Sequence, residues 1–348
     1  MMITIVRPRR CNRVIALLSI TILILGLVIA CGKKETGLSQ EIVYRLKWLY
    51  NAGTVGELYA TKYGIFEKEG LSVTVKAGGP EYNVINELEL GNCQFGVASA
   101  DQVITALAKG ADLVVLAQIF QENPLQWIFR KNAIILNTPS DLKGKRVAIT
   151  YGGNDEAIFK ALLASYQLIP DELFVSSARR DYTPFFEGRV DLWPTYRNVE
   201  GVAIAGKMKS AGEETDFFDP GVHGIHFVAN SVITTAKFYT ARQQLCERVV
   251  QAAMKGWTEA LDTESVAKAV QAVKDFDPQT DPAIIARQIA ATRKLVIPEP
   301  GFPVGKISVA AWQETEAIML QQGLIKQPVH IERRLKQHFI PVRDFKGR

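Results

Sequence analysis

Residues 185–201 place aromatic side chains next to an amide and a carboxylate. Trp193 and Tyr196 leave a short apolar segment, and Asn198 and Glu200 follow directly. Aromatic faces stack on planar rings, and amide and carboxylate oxygens accept hydrogen bonds from ring N–H groups. The spacing therefore predicts a site for a planar heterocycle. Core packing of the two aromatic residues, with Glu200 as a cap or ion-pair partner, is an equally good alternative.

Residues 93–110 predict a short buried strand that runs directly into a helix. Ser99 and Gln102 have the spacing of a capping box, and Gly110 is a typical helix stop. The free N–H groups at such a helix start carry partial positive charge, and ligands of open α/β sheets bind beyond the carboxyl ends of the strands. Ser99 and Asp101 are therefore candidates by position, although Ser99 can also act only as a helix cap.

Two further junctions between a strand and a helix add candidates. Trp48 and Asn51 follow the first predicted strand, and Tyr151 and Gly153 follow a later one. The turn at Gly152 and Gly153 lacks the P-loop lysine and the full Rossmann spacing, so a nucleotide-phosphate site is not favoured there.

The elements that must position these residues alternate between strand and helix patterns, which is typical of an α/β protein. Asn123 and Pro124 mark a point where the chain leaves one lobe, and the chain returns to that lobe near Asn230. Amphipathic helices then predict a C-terminal helical cover on the first lobe. We expect lobe 1 at residues 43–123, lobe 2 at 124–226, and the return with the C-terminal helices at 227–345.

The first thirty residues have the features of a secretory signal peptide. Four arginines precede an uncharged apolar run at residues 14–30. An uncleaved membrane anchor is the alternative. The sequence Val28-Ile29-Ala30-Cys31 is similar to a bacterial lipobox, which predicts a lipid on Cys31 and a tether over residues 31–42. We therefore expect an exported protein, anchored by lipid on the outer face of the cytoplasmic membrane or in the periplasm.

The net charge and the histidine and cysteine content bear on three further features: nucleic-acid binding, a metal site and a disulfide. Removal of residues 1–30 takes away four arginines and no acids, so the formal charge falls from +5 to about +1 and gives little support to nucleic-acid binding. The four histidines lack metal-ligand spacing, and we expect neither a metal nor a cofactor. Whether Cys93 and Cys246 form a disulfide is left open. We expect a monomer.

Five short motifs together resemble the solute-binding proteins of ABC importers in the SsuA and thiamine-pyrimidine-synthase-like superfamily, over about residues 44–323. The motifs are Leu46-Lys47-Trp48 with Asn51; Ala60 with Gly64-Ile65-Phe66 and Glu69-Gly70-Leu71; Gly91 with Phe95-Gly96-Val97; Leu142-Lys143-Gly144-Lys145; and Gly188-Arg189-Val190-Asp191. The resemblance implies a two-lobed type II periplasmic-binding-protein fold, in which hinge closure clamps a ligand between the lobes.

The resemblance also implies partners and roles. The partners are a small-molecule ligand, an ABC permease with its ATPase, and the membrane through the lipid on Cys31. Members with this pattern bind thiamine-precursor pyrimidines, so Trp48 would stack on the ring and Glu200 would accept its N–H donors, with Tyr196 and Asn198 beside it. Four more residues would line the same cleft by position only: Ser99, Asp101, Tyr151 and Gly153.

Two alternatives remain within this resemblance. Fungal relatives make the pyrimidine from pyridoxal phosphate and their own histidine, but here the lysine position falls at Ala98 and the histidine position at Gln102. An enzyme is therefore not favoured. A sulfonate, nitrate or riboflavin ligand is the other alternative. An anion would require basic side chains in the cleft, and the sequence offers Arg130, Arg179, Arg180 and Arg197.

Overall fold

The computed structural model describes residues 1–2, 41–79, 81–178 and 181–337. Nearly all of the predicted signal peptide and tether lie outside these residues, as does Cys31. The described residues from Glu41 onward form one compact unit. In the described ranges, no helix is both long enough and apolar enough to span a membrane.

Strands and helices alternate through most of this unit. The strands are β1 Ile42–Arg45, β2 Val73–Lys76, β3 Phe95–Ala98, β4 Leu113–Gln118, β5 Leu125–Arg130, β6 Arg146–Ile149, β7 Phe174–Ser177, β8 Leu192–Tyr196, β9 Thr215–Phe218 and β10 Ser231–Thr235. The α-helices are α1 Val55–Lys62, α2 Ile65–Lys68, α3 Val84–Glu89, α4 Ala100–Ala108, α5 Asn154–Ser165, α6 Thr183–Phe186, α7 Glu200–Ser210, α8 Ala236–Ala241, α9 Gln243–Ala260, α10 Val266–Lys274, α11 Pro282–Val296 and α12 Val309–Gln321. Short 3₁₀ helices lie at Ala52–Thr54, Pro139–Leu142, Pro170–Glu172, Pro220–His223, Thr263–Ser265 and Ile331–Arg334.

The described strands form two five-stranded sheets with the same plan. The order is β2-β1-β3-β10-β4 in one sheet and β7-β6-β8-β5-β9 in the other. In each sheet the strand that follows a change of sheet, β10 or β5, runs antiparallel to both of its neighbours. We call the sheet of β1–β4 and β10 with its helices lobe 1, and the sheet of β5–β9 with its helices lobe 2. The chain passes between the lobes twice, between β4 and β5 and between β9 and β10. The exact residues at which each lobe ends stay predictions.

Lobe 1 is covered by the C-terminal helices because its strands are apolar on both faces. Every residue of β4 is buried, which requires cover on both sides of the sheet. Helix α9 packs against α1 at a close approach, since a Cβ atom on Gly56 would lie 2.1 Å from the ring of Trp257. A glycine is therefore required at residue 56, and the predicted helical cover on lobe 1 is confirmed.

The two connections between the lobes lie side by side. The Asn123 side-chain amide donates to the carbonyl of Phe227 at 3.0 Å, which joins the outgoing connection to the returning one. The backbone N–H of Arg197 donates to the carbonyl of Pro124 at 2.9 Å. These contacts join the two connections, and strand ends from both sheets border one cleft beside them.

Candidate functional site

A cleft of about 230 Å³ is lined by residues of both lobes. The structure brings six of the nine sequence-predicted ligand-binding residues to its wall: Trp48, Asn51, Tyr151, Gly153, Tyr196 and Glu200. They come from the turns that follow β1, β6 and β8, where the strands end and helices begin. The cleft therefore combines aromatic rings, amides and carboxylates from separate parts of the chain.

The lobe 1 wall is set by the turn after β1. The side-chain oxygen of Asn51 accepts a hydrogen bond from the N–H of Gly53 at 2.8 Å and so caps the helix Ala52–Thr54. This cap holds the turn in place, while Trp48 remains partly exposed beside it. A partly exposed indole at a cleft wall can stack on a planar ligand.

The lobe 2 wall contains a carboxyl group folded back on its own turn. The carboxylate of Asp155 accepts from the N–H of Thr150 at 2.5 Å. A Cβ atom on Gly153 would lie 2.4 Å from Asp155 Oδ1, so glycine leaves the space that this contact needs. Burial raises the pKa of Asp155 to about 6, although the Thr150 N–H opposes the shift.

Glu200 begins α7 and points its carboxylate toward the end of β8. Its Oε2 accepts from the N–H of Tyr196 at 3.2 Å. Burial raises the pKa of Glu200, and the Tyr196 N–H and the charge of Lys47 oppose that rise. Beside it, the ring of Tyr182 packs edge-on against Trp193 at 5.9 Å between ring centroids. The Glu200 carboxylate and the aromatic residues Trp193 and Tyr196 therefore lie together at the cleft.

Lys47 is a cleft residue that the sequence analysis did not select. Its Nζ donates to Tyr196 Oη at 2.5 Å and to Asn154 Oδ1 at 3.1 Å. Burial lowers the pKa of Lys47 to about 8, while Asp101, Asp155 and Glu200 favour its charged form. The sequence feature that could have identified Lys47 as a cleft residue is its position next to Trp48, directly after β1.

Three predicted residues do not line the cleft. The N–H of Ser99 donates to Gln102 Oε1 at 3.2 Å, so Ser99 serves the start of α4. Asp101 is buried behind the wall, where burial raises its pKa and Lys47 lowers it. Asn198 is fully buried and its amide donates to Thr292 Oγ1 of helix α11 at 2.8 Å.

A family model described as NMT1/THI5 like matches residues 51–266, which is well over half of the chain. The chain belongs to the NMT1/THI5-like family. A search of curated proteins finds no match. Solved structures share the fold at low sequence identity, and the expected type II periplasmic-binding fold is thereby confirmed.

Three solved structures illustrate this likeness of the NMT1/THI5-like chain. The alkanesulfonate-binding protein SsuA from Xanthomonas axonopodis pv. citri, bound to MOPS, has a TM-score of 0.65 and 16% identity over 85% of this chain and 98% of its own. The periplasmic aliphatic sulphonate binding protein SsuA from Escherichia coli has a TM-score of 0.67 and 16% identity, with 86% and 98% covered. The desulfurization enzyme DSZB has a TM-score of 0.57 and 13% identity, with 86% and 97% covered.

Two of the arginines considered for an anion, Arg130 and Arg197, do not line the cleft of this NMT1/THI5-like protein. Arg130 donates to the carbonyls of Phe185 and Phe186, both at 2.8 Å, and pairs with Glu213. Arg197 pairs with Glu122 at 3.1 Å near the two connections between the lobes. Arg179 and Arg180 lie outside the described residues. Of the residues that the structure does describe, Lys47 is the cation that lines the cleft.

The two cysteines that the structure describes do not take part in the cleft. Cys93 and Cys246 are free and buried, and burial raises the pKa of each thiol to about 12. Neither side chain lines the cleft. The described ranges contain no group of three His, Cys, Asp or Glu side chains that could hold a metal ion.

Proposed function

We propose that this protein is the extracytoplasmic solute-binding component of an ABC importer. The observation that carries the proposal is a cleft whose polar and aromatic walls come from two lobes, each built on its own five-stranded sheet. A ligand held by both walls stabilises the closed arrangement of the lobes, because it contacts both only when they are close. No bond in the ligand needs to change for this function.

The charges at the cleft favour a ligand that donates hydrogen bonds. Helix N-termini usually attract anions, but here each relevant first turn carries its own carboxylate: Asp101 in α4, Asp155 in α5 and Glu200 in α7. Of these three acids, Asp155 and Glu200 line the cleft and Asp101 lies behind it, whereas the described wall supplies one cation, Lys47. We therefore favour a small neutral heteroaromatic solute, a thiamine-precursor pyrimidine, stacked on Trp48 with its N–H groups on Glu200.

An alkanesulfonate is the second candidate. Two structures with the same fold are described as sulfonate-binding proteins. The Lys47 ammonium could pair with a sulfonate oxygen. The excess of carboxylates counts against this ligand, since a sulfonate keeps its negative charge at every physiological pH.

An enzyme that uses pyridoxal phosphate is a less favoured alternative. The structure supplies a cleft amine, Lys47, that the sequence argument had not placed there. Even so, Ala98 and Gln102 cannot provide the amine and the imidazole at the positions that the resemblance requires, so the residues present do not fit that cofactor. One structure with the same fold is described as a desulfurization enzyme, DSZB, so the fold by itself does not decide against an enzyme.

Transport would proceed by capture, closure and docking. The open form, in equilibrium with a closed form, binds the solute, the lobes rotate together, and both lobes contact a permease dimer that a separate ATPase drives. A lipid on Cys31 would keep the protein at the membrane surface as a monomer. The predicted ligand contacts of Trp48, Asn51, Tyr151, Gly153, Tyr196 and Glu200 belong to this proposal.

The test is a thermal-shift screen of the chain from residue 32 onward, followed by calorimetry on any hit. The panel contains pyrimidines, flavins, taurine and other sulfonates, nitrate and pyridoxal phosphate. We expect a pyrimidine to raise the melting temperature, and we expect Trp48→Ala or Glu200→Ala to weaken binding at least about tenfold. The exposed Glu89→Ala variant is the control and should bind normally.

Two results would contradict this assignment. In the first, a sulfonate or nitrate binds, and Glu200→Ala does not change its affinity. The solute-binding role would then stand, but the ligand would be an anion and not a pyrimidine. Pyridoxal phosphate trapped on a lysine by borohydride would support the enzyme instead.

A further inference from the structure

Two hydrogen-bond donors at the cleft have unused capacity among the described residues. The Lys47 ammonium has three protons and donates two of them, to Tyr196 and to Asn154. Asn154 is only 6% exposed, and its Nδ2 makes no hydrogen bond within the described ranges, although Tyr196 lies beside it. Buried donors usually have acceptors, so the Asn154 amide, with the third proton of the half-buried Lys47 ammonium beside it, points to an acceptor supplied by another molecule.

These two donors belong to different lobes. Lys47 follows β1 in lobe 1, whereas Asn154 begins α5 in lobe 2, and 3.1 Å separates Lys47 Nζ from Asn154 Oδ1. An acceptor atom bound by both donors would contact both lobes at one point. Such a contact is made fully only when the lobes are close, so it converts binding energy into closure.

The groups around Lys47 also favour its charged form. Asp101, Asp155 and Glu200 lie near enough to attract the ammonium, and the hydroxyl of Tyr196 accepts one of its protons and donates to Asn230 Oδ1 at 3.4 Å. Of these carboxylates, Asp155 and Glu200 line the cleft and can accept hydrogen bonds from a ligand. The cleft therefore offers donors and acceptors side by side.

We propose that Lys47 and Asn154 form a donor pair that binds a hydrogen-bond acceptor of the solute and couples its binding to closure of the lobes. This inference rests on the proposed solute-binding function. It makes Lys47 the residue that selects solutes with an exposed oxygen acceptor, such as a hydroxyl, carbonyl or sulfonate oxygen. Without solute, the Lys47 contacts to Tyr196 and Asn154 favour the closed form in its equilibrium with the open form, and a bound acceptor adds to that preference.

The first measurement is small-angle X-ray scattering of the protein without added ligand. Lys47→Met removes the ammonium but keeps an unbranched side chain, and we expect a larger radius of gyration. Lys143→Met, at an exposed lobe 2 lysine that pairs with Glu172, is the matched control and should match the wild type. A wild-type radius of gyration for Lys47→Met would overturn the proposal, even if its affinity falls. Circular dichroism establishes that each variant is folded.

The second measurement uses Asn154→Asp, which keeps an oxygen acceptor for Lys47 but removes the Nδ2 donor. We expect this variant to stay closed by scattering. By calorimetry with 4-amino-5-hydroxymethyl-2-methylpyrimidine and with ethanesulfonate, we expect at least about fivefold weaker binding of whichever probe the wild type binds. Unchanged affinity would overturn the donor role of Asn154. If the wild type binds neither probe, the proposed ligand classes fail, and the scattering of Lys47→Met still decides the role of Lys47.

Discussion

Residues 196–200 of lobe 2 meet lobe 1 on two sides that use different chemistry. On the cleft side, Tyr196 accepts a hydrogen bond from the Lys47 ammonium. On the helix side, toward α11, Asn198 donates to Thr292 Oγ1 at 2.8 Å and Gln288 Nε2 donates to the carbonyl of Val199 at 2.9 Å. We call these the cleft-side and helix-side contacts.

The two sets of contacts differ in whether their strength depends on pH. The helix-side contacts join neutral, buried groups, so pH does not change them and each adds the usual net stability of a buried hydrogen bond. The cleft-side contacts depend on an ammonium whose burial is unfavourable, and its pKa is lowered to about 8 for that reason. We infer that the helix-side contacts stabilise the folded chain, whereas the cleft-side contacts respond to ligand and pH.

The largest expected effect is a pH-dependent stability that comes from Lys47. The pKa falls from its ordinary 10.5 to about 8 in the folded protein, so the unfolded chain binds more protons between these values. Stability from this group therefore rises as pH increases from about 8 to 10.5, by up to about 3 kcal/mol. Lys47→Met should lack this rise and should be at least as stable as the wild type at pH 7. Urea unfolding at a series of pH values measures the difference.

The control for that series is Lys143→Met, whose exposed side chain should leave the pH profile of the wild type unchanged. Because other groups also titrate in this range, only the difference between wild type and Lys47→Met carries the argument. Parallel profiles for these two proteins would show that the Lys47 ammonium is not desolvated, and the comparison between the two sides would fail.

A smaller effect is expected from the helix side. Asn198→Ala removes the bond to Thr292 at a fully buried position, which should lower the free energy of unfolding by about 1–3 kcal/mol at every pH. Urea unfolding at pH 7 and pH 9 measures it, and the slope with urea should not change. Asn137→Ala, at an exposed asparagine, is the control. A loss that varies with pH would contradict the neutral character of this side.

Much of the site was predictable because local patterns encode it. The β1 and β6 ends are marked by apolar segments followed by glycine-containing turns and helix starts, and these place Trp48, Asn51, Tyr151 and Gly153 at one edge. The α/β class follows from the same alternation, since periodicity depends on neighbours in sequence.

The directions of Asn198 and Lys47 were not predictable in the same way. Residues 197–199 form the turn between β8 and α7, without the strict alternation of a strand, so the face that the Asn198 side chain takes depends on tertiary contacts. For Asn198 the partner is Thr292, 94 residues later in the chain. For Lys47 the partners Asn154 and Tyr196 are 107 and 149 residues away. Because these partners are so far apart in the sequence, no local sequence pattern predicts the contacts.

The smallest expected effect comes from Gln288, the other helix-side residue. Gln288→Leu keeps most of the buried volume but removes the bond to the carbonyl of Val199, so we expect a loss of about 1 kcal/mol. Gln313→Leu, on an exposed face of α12, is the matched control. Since Gln288 and Asn198 hold the same short segment, the double variant should lose less than the sum of the single losses. Strict additivity, measured by urea unfolding, would mean that the two bonds act independently and that residues 196–200 are not held against α11 as one unit.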